Sequence, residues 1–161
     1  MEVFTSPYRE NLLTGDIEKY GPRGTNQFAF TDVEYIPPEY LKGELAESWE
    51  MTNPKTTVYH LRKGVMWPNK PGVMTAREFT ADDVVYCLNR QLASPKAGFY
   101  FFATPMTITA RDKYTVVMEL KEQTTGWILP NGWGWYCRIY PPEVVKAGMQ
   151  RWENAVGTGP F

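Results

Sequence analysis

The sequence contains few of the residues from which catalytic and metal sites are built. It has one histidine, His60, and two cysteines, Cys87 and Cys137. No nucleophile motif surrounds His60, and a lone histidine does not make a metal site. The cysteines lack metal-site and CxxC spacing. A structural histidine and two small buried thiols are favoured; a Cys87–Cys137 disulfide stays open, because it requires both elements to pack together with suitable geometry.

Charge of one sign and long apolar runs are also missing. The net charge is −1 and the basic residues are dispersed, which argues against a nucleic-acid surface. No apolar run approaches the roughly 20 residues of a membrane helix. The first residues lack the basic and apolar regions of a signal peptide, which taken alone favours the cytoplasm unless the sequence begins inside a longer protein. The glycine segments 132–134 and 157–161 lack the lysine and strand-to-helix setting of a phosphate loop.

Aromatic residues, glycine and proline are abundant. Aromatic residues make up 15% of the chain, with six tryptophans, and there are 13 glycines and 13 prolines. This composition predicts many turns and few long elements, as in a mixed α+β fold rather than a helical bundle or a repeat array. We expect a small antiparallel sheet of hairpins with a few packed helices.

Two hairpins are predicted from alternating apolar residues. The first joins strands at 45–51 and 57–62, and the second joins strands at 106–110 and 114–120. Glycine and proline after the first hairpin predict an exposed irregular loop over 67–72.

The clearest predicted helix follows Thr80. Thr80 and Asp83 have the spacing of a capping box, an apolar stripe follows, and Ser94-Pro95 ends the helix. Further along, the sequence predicts a short helix over 124–129, an aromatic strand over 131–140, and a last helix from Pro142 to Gly148. The pairs Glu44/Glu47 and Asp82/Asp83 are interpreted as structural, and we predict no catalytic residue.

The candidate ligand-binding residues come from two aromatic groups and one cation: Phe99, Trp133, Trp135, Tyr136 and Arg138. Aromatic faces with a few polar groups are typical of concave binding sites. Packing in the core or between domains is the alternative, because aromatic side chains bury large areas. Arg138 can fork onto a ligand carboxylate, and a glutamate of its own domain is an equally good partner.

Six motifs in series resemble one family. They are Leu-Ala-Glu-Ser-Trp-Glu at 45–50, Thr-Val-Tyr-His-Leu-Arg-Lys-Gly-Val at 57–65, Phe-Thr-Ala-Asp-Asp-Val-Val at 79–85, the strand at 114–120, Pro-Pro-Glu-Val-Val at 141–145, and Val-Gly-Thr-Gly-Pro-Phe at 156–161. Their order and spacing are similar to those of the family 5 extracellular solute-binding proteins, which serve peptide and nickel ABC importers.

The resemblance implies an N-terminal fragment of a two-lobe, periplasmic-binding-protein-like receptor. It assigns residues 1–43 to an irregular segment at the edge of the first lobe or an insertion. It also assigns 44–155 to an α+β subdomain and 156–161 to the return into the main lobe. It implies a small solute, with peptides as the commonest class, membrane permease subunits as partners, no cofactor, no catalysis and an extracytoplasmic location, periplasmic or anchored on the outer face. A carbohydrate- or aromatic-ligand-binding module is the alternative.

Overall fold

A computed structural model describes residues 9–30, 36–94, 106–123 and 138–159. The strands in chain order are β1 (Leu13–Gly15), β2 (Leu41–Gly43), β3 (Ala46–Asn53), β4 (Thr56–Leu61), β5 (Met66–Trp67), β6 (Arg77–Glu78), β7 (Met106–Asp112) and β8 (Thr115–Leu120). The helices are α1 (Ile17–Tyr20), α2 (Ala81–Leu92) and α3 (Pro142–Gly148), with 3-10 turns at Pro38–Tyr40 and Trp152–Asn154.

A four-stranded antiparallel sheet forms the centre of the fold. Its strand order is β3-β4-β8-β7, so the two hairpins lie side by side and β4 pairs with β8. Both predicted hairpins are confirmed. The turns are short, because only Pro54-Lys55 separates β3 from β4 and only Lys113-Tyr114 separates β7 from β8. The predicted α+β class is therefore correct.

One face of this sheet carries the core. Tyr59 and Val116 are directly opposite each other, and Met118 follows two residues along β8 on the same face. All three are fully buried. Helix α2 lies against β7 and β8 and contributes the buried side chains of Val84 and Leu88. The apolar stripe predicted for α2 therefore faces the sheet.

The ends of α2 and α3 are where the sequence predicts them. Thr80 is the N-cap of α2, and its backbone N–H donates to Asp83 Oδ2 at 3.0 Å, one half of the capping box. Helix α3 begins at Pro142 and ends at Gly148, whose φ of +103° belongs to the region that favours glycine.

The predicted exposed loop over 67–72 is wrong at its first residue. Trp67 belongs to β5, which pairs with β6, and its side chain is fully buried. Its ring packs edge-to-face on Phe79 at 5.9 Å between centroids, and its Nε1 donates to Asp83 Oδ2 at 3.0 Å. The neighbouring segment 68–72 is mostly exposed and turns at Gly72, as predicted.

Within the predicted irregular segment 1–43, β1 and β2 form a two-stranded antiparallel sheet. Leu12 and Leu13 are fully buried in the common core, so this part of the chain packs with the rest. The predicted helix over 124–129 lies outside the described residues. Of the aromatic strand predicted for 131–140, only residues 138–140 are described. They do not belong to a strand, and Ile139 N donates to the carbonyl of Glu10.

Candidate functional site

Residues 138–140 fix the end of the predicted ligand-binding segment to two other parts of the chain. Ile139 N donates to the carbonyl of Glu10 at 3.1 Å, and Arg138 Nη1 donates to the carbonyl of Arg9 at 3.0 Å. The thiol of Cys87, on α2, donates to the carbonyl of Arg138 at 3.4 Å. The segment that carries the aromatic candidates thus ends at a fixed junction between the N-terminal residues and α2.

Arg138 is the one predicted site residue among those that the structure describes. Phe99, Trp133, Trp135 and Tyr136 fall in the ranges 95–105 and 124–137, which it leaves out. Their role in binding stays a prediction. The structure does place Arg138 half-buried beside further charged groups that the sequence patterns did not indicate.

Tyr140 is the centre of these charged groups. Arg90 Nη1 donates to its hydroxyl at 3.0 Å, and the guanidinium carbon of Arg90 lies 5.9 Å from the ring centroid. The guanidinium carbon of Arg9 lies 5.5 Å from the same centroid. Burial, reinforced by the neighbouring Cys87 thiol, raises the pKa of Tyr140 to about 12, so the phenol stays protonated near neutral pH. Sequence reasoning missed this group because its members lie far apart along the chain.

Glu44 is a largely buried carboxyl group whose charge interacts with that of Arg138. Its Oε2 accepts a hydrogen bond from the backbone N–H of Asn11 at 2.8 Å. Burial raises the pKa of Glu44 to about 7, and the charge of Glu10 adds to the rise. The Asn11 hydrogen bond and the positive charges of Arg138 and Lys42 oppose it. A glutamate of the chain itself is therefore close enough to Arg138 for their charges to interact.

Glu78 has the opposite electrostatic environment. Its carboxylate accepts from the backbone N–H of Gly64 at 3.0 Å, from the hydroxyl of Tyr114 at 2.8 Å and from Lys113 Nζ at 2.7 Å. These hydrogen bonds, led by that from Lys113, lower the pKa of Glu78 to about 2.

We expect the change Glu44→Gln to alter the pH dependence of stability. A carboxyl whose folded pKa is about 7 instead of 4.5 stabilises the fold fully below pH 4.5, and this stabilisation is lost as the pH rises through 7. Urea unfolding from pH 2 to 9 should therefore show the wild type losing stability relative to Glu44→Gln between about pH 4.5 and 7.

Glu78→Gln is the matched control. Because the pKa of Glu78 is lowered, its contribution is present above pH 4.5 and is lost as the pH falls towards 2, so the slope has the opposite sign. Parallel unfolding curves for Glu44→Gln and the wild type across the neutral range would contradict the assignment to Glu44.

Arg77 joins three elements through two carboxylates. Its guanidinium donates to both oxygens of Asp83, at 2.9 and 2.6 Å, and to both oxygens of Glu143, at 2.7 and 2.9 Å. The two carboxylates raise the pKa of Arg77 further above its ordinary value, and Arg77 in turn lowers the pKa of Glu143. This double fork links β6, the start of α2 and the start of α3, and so fixes the helix that follows the predicted ligand-binding segment.

Cys87 and His60 have structural environments. Cys87 is a fully buried free thiol, and burial raises its pKa to about 11. Cys137, its partner in the disulfide that the sequence left open, lies outside the described residues. His60 Nε2 lies 3.7 Å from Glu50 Oε1 on the neighbouring strand. Across the described ranges, no group of three or more histidine, cysteine or acidic side chains could hold a metal ion.

The family is decided by a sequence comparison. Residues 41–161 match the model of the bacterial extracellular solute-binding proteins, family 5 Middle, which is more than half of the chain. The chain belongs to this family. The resemblance carried by the six motifs is therefore confirmed; residues 46–50 of its first motif lie in β3.

This chain matches only part of the length of several relatives. The dipeptide-binding protein of Escherichia coli (strain K12) is 48% identical over 156 residues, which covers 84% of this chain and 28% of that protein. Heme-binding protein A of Haemophilus influenzae is 29% identical over 148 residues, covering 76% of the chain and 27% of that protein. The chain thus spans less than a third of the length of these relatives.

Solved structures of other proteins have the same fold. The periplasmic binding protein DppA from Helicobacter pylori, in complex with the peptide STSA, superposes with a TM-score of 0.67 at 23% identity, covering 99% of this chain and 31% of that one. HbpA2 from Haemophilus parasuis superposes with a TM-score of 0.68 at 20% identity, covering 99% and 32%. The predicted architecture, part of a periplasmic-binding-protein fold, is confirmed. No helix in the described parts of the chain is long and apolar enough to cross a membrane.

Proposed function

We propose that this chain is part of the substrate-binding component of an ABC importer and that its solute is a peptide. The observation that carries this proposal is the 48% identity with a dipeptide-binding protein, within the family 5 match over residues 41–161. Di/tripeptide-binding protein 1 of Pseudomonas aeruginosa, 31% identical over 136 residues, supports the same class of solute. We place the protein outside the cytoplasm, with membrane permease subunits as its partners.

The mechanism is binding without a chemical step. In the complete polypeptide two lobes would close over the solute, and the closed form would be the one presented to the permease. Residues 44–155 would form the α+β subdomain, with 1–43 and 156–161 leading to the main lobe. The double fork of Arg77 ties β6, α2 and α3 together, so this subdomain would move as one unit during closure.

Within the chain, the solute-facing residues of this proposal are Phe99, Trp133, Trp135, Tyr136 and Arg138. The junction at 138–140 supports this assignment, because it holds the end of the aromatic segment beside half-buried, charged side chains. Trp133 and Trp135 alternate with glycines, which allow a ligand backbone to approach closely.

The test is titration calorimetry with a panel of dipeptides and tripeptides. We expect the complete polypeptide that carries this sequence to bind at least one of them with micromolar affinity or better. We expect the 161-residue chain alone to bind none of them at that level, because the second lobe supplies many of the contacts. A panel of oligosaccharides is the control, read by quenching of tryptophan fluorescence. Binding of sugars and of no peptide would overturn the proposal in favour of a carbohydrate-binding protein.

A further inference from the structure

Trp152 is the most exposed large apolar residue in the described parts of the chain. It is 82% exposed, whereas Ile17 and Met66, the next in the same class, are 53% exposed. A tryptophan that is buried removes a large apolar area from water, as Trp67 does in the core of this chain. The indole of Trp152 leaves most of that area in contact with water.

The turn that carries Trp152 is held at both ends. Before it, the side-chain Nδ2 of Asn154 donates to the carbonyls of Ala147 and Gly148 in the last turn of α3, at 2.8 and 3.1 Å. After it, Val156 is buried in the common core. Trp152 is therefore displayed from a fixed backbone, so little conformational freedom is lost when its ring is covered, which favours binding.

The residues that flank Trp152 are polar and exposed. They are Gln150, Arg151 and Glu153. An aromatic centre with a polar rim is the usual arrangement of a protein–protein interface, where a tryptophan often supplies much of the binding energy. A small solute is instead bound in a concave site that encloses it, and a ring that is 82% exposed does not lie in such a site. The features around Trp152 favour a protein surface as its partner.

A second observation in the same stretch also indicates a partner outside the described residues. The hydroxyl oxygen of Thr158 is buried and has no hydrogen-bond partner among them. The large majority of buried side-chain polar atoms in proteins are paired, so we expect a polar group from elsewhere to complete this one.

The length of the relatives indicates where the partner surface comes from. This chain covers 28% of the Escherichia coli dipeptide-binding protein and 32% of the HbpA2 chain, so most of each relative has no counterpart in it. A surface of the same polypeptide is present at a high effective concentration, and contact with it is permanent. A permanent contact accounts for Trp152 better than a transient partner, which would leave the ring in water for much of the time.

We propose that Trp152 anchors the subdomain 44–155 to the main lobe, on a surface formed by the polypeptide beyond residue 161. This inference rests on the proposed function, which supplies the main lobe, and adds to it an interface and the residue at its centre. The receiving surface is an apolar pocket with an acceptor for the indole N–H, because a buried indole N–H usually has a partner. With this contact, the subdomain and the main lobe move as one body when the second lobe closes over the solute.

Hydroxyl-radical footprinting of the complete polypeptide, purified alone, tests the contact. Mass spectrometry measures the oxidation rate of Trp152 in the folded protein and in a short synthetic peptide of the same sequence. We expect the rate in the folded protein to be lower by about tenfold or more, as for an interface residue from which water is excluded. Trp67 is the buried reference, and Met51, which is 50% exposed on the edge strand β3, is the exposed reference. Equal rates for Trp152 in the protein and in the peptide would overturn the inference.

Repeating the footprinting at several protein concentrations separates a contact within the polypeptide from a contact between copies. The protection should be unchanged, and its loss on dilution would overturn the inference in favour of a second copy. Peptide binding is measured separately by the calorimetry described above. Protection of Trp152 without binding of any peptide would overturn the assignment of the solute alone.

Substitutions give an independent measurement. In the complete polypeptide, Trp152→Ala should lower the urea concentration at the midpoint of unfolding, and Trp152→Phe should lower it less because it keeps most of the apolar contact. Met51→Ala is the matched control, because it removes an exposed apolar side chain and should leave the midpoint nearly unchanged. A midpoint for Trp152→Ala equal to that for Met51→Ala would contradict an anchoring role.

Discussion

Replacing Asp83 with alanine should lower the free energy of unfolding by about 3 kcal/mol or more. The Asp83 side chain is 3% exposed and accepts four hydrogen bonds. They come from two nitrogens of Arg77, from Trp67 Nε1 and from the backbone N–H of Thr80. Its loss would leave the indole and the helix cap without their acceptor and Arg77 with one of its two carboxylates. Urea unfolding followed by circular dichroism measures the change.

Asp82→Ala is the control for this experiment. Asp82 is the neighbouring carboxylate in the first turn of α2, where the helix dipole favours negative charge, but unlike Asp83 it is exposed. Its replacement should cost about 0.5 kcal/mol. Equal losses for the two variants would show that the buried network around Asp83 does not stabilise the fold beyond an ordinary helix-terminus charge.

Replacing Trp67 with alanine should have an effect of similar or larger size, about 4 kcal/mol. The side chain is fully buried, so alanine would leave a large cavity beside Phe79 and remove a donor to Asp83. Trp67→Phe keeps most of the apolar contact and removes the N–H, and should cost about 1 to 2 kcal/mol. Chemical unfolding of both variants distinguishes packing from hydrogen bonding.

A double-mutant cycle shows whether Trp67 and Asp83 act together. If Trp67→Phe costs less in the background of Asp83→Asn than in the wild type, the difference is the coupling energy of the pair. For comparison, the cost of Trp67→Phe is also measured in the background of Glu78→Gln, since Glu78 has its own partners, Lys113 and Tyr114. If Trp67→Ala left the free energy of unfolding unchanged, the indole would not lie in the core in solution.

Much of the fold could be predicted because it depends on short-range patterns. Strands β3, β4, β7 and β8 follow from alternation with a period of two, and the two-residue turns place each hairpin pair next to each other. Helix α2 follows from the Thr80–Asp83 cap and its apolar stripe, and α3 from Pro142 and Gly148. In each case the residues that define the element are within a few positions of one another.

Trp67 shows where such patterns fail. Proline and glycine in 68–72 correctly predict a turn, but they say nothing about the residue just before it. Trp67 is buried because Phe79 and Asp83, 12 and 16 positions later, return to provide an apolar surface and an acceptor. An aromatic side chain with one polar atom can be exposed or buried, and the position of distant partners decides between the two.

The same contrast applies to the candidate site. The order of six short motifs was enough to indicate the family, and Arg138 was recognised as a cation next to aromatic residues. The junction of Arg9, Arg90 and Arg138 at Tyr140, and the rise in the pKa of Glu44, depend on contacts between residues up to 129 positions apart. Local sequence thus decides the helices, the hairpins and the family, because those need only neighbouring residues. Tertiary packing decides which polar groups are buried together, because desolvation and charge depend on everything that surrounds an atom in space.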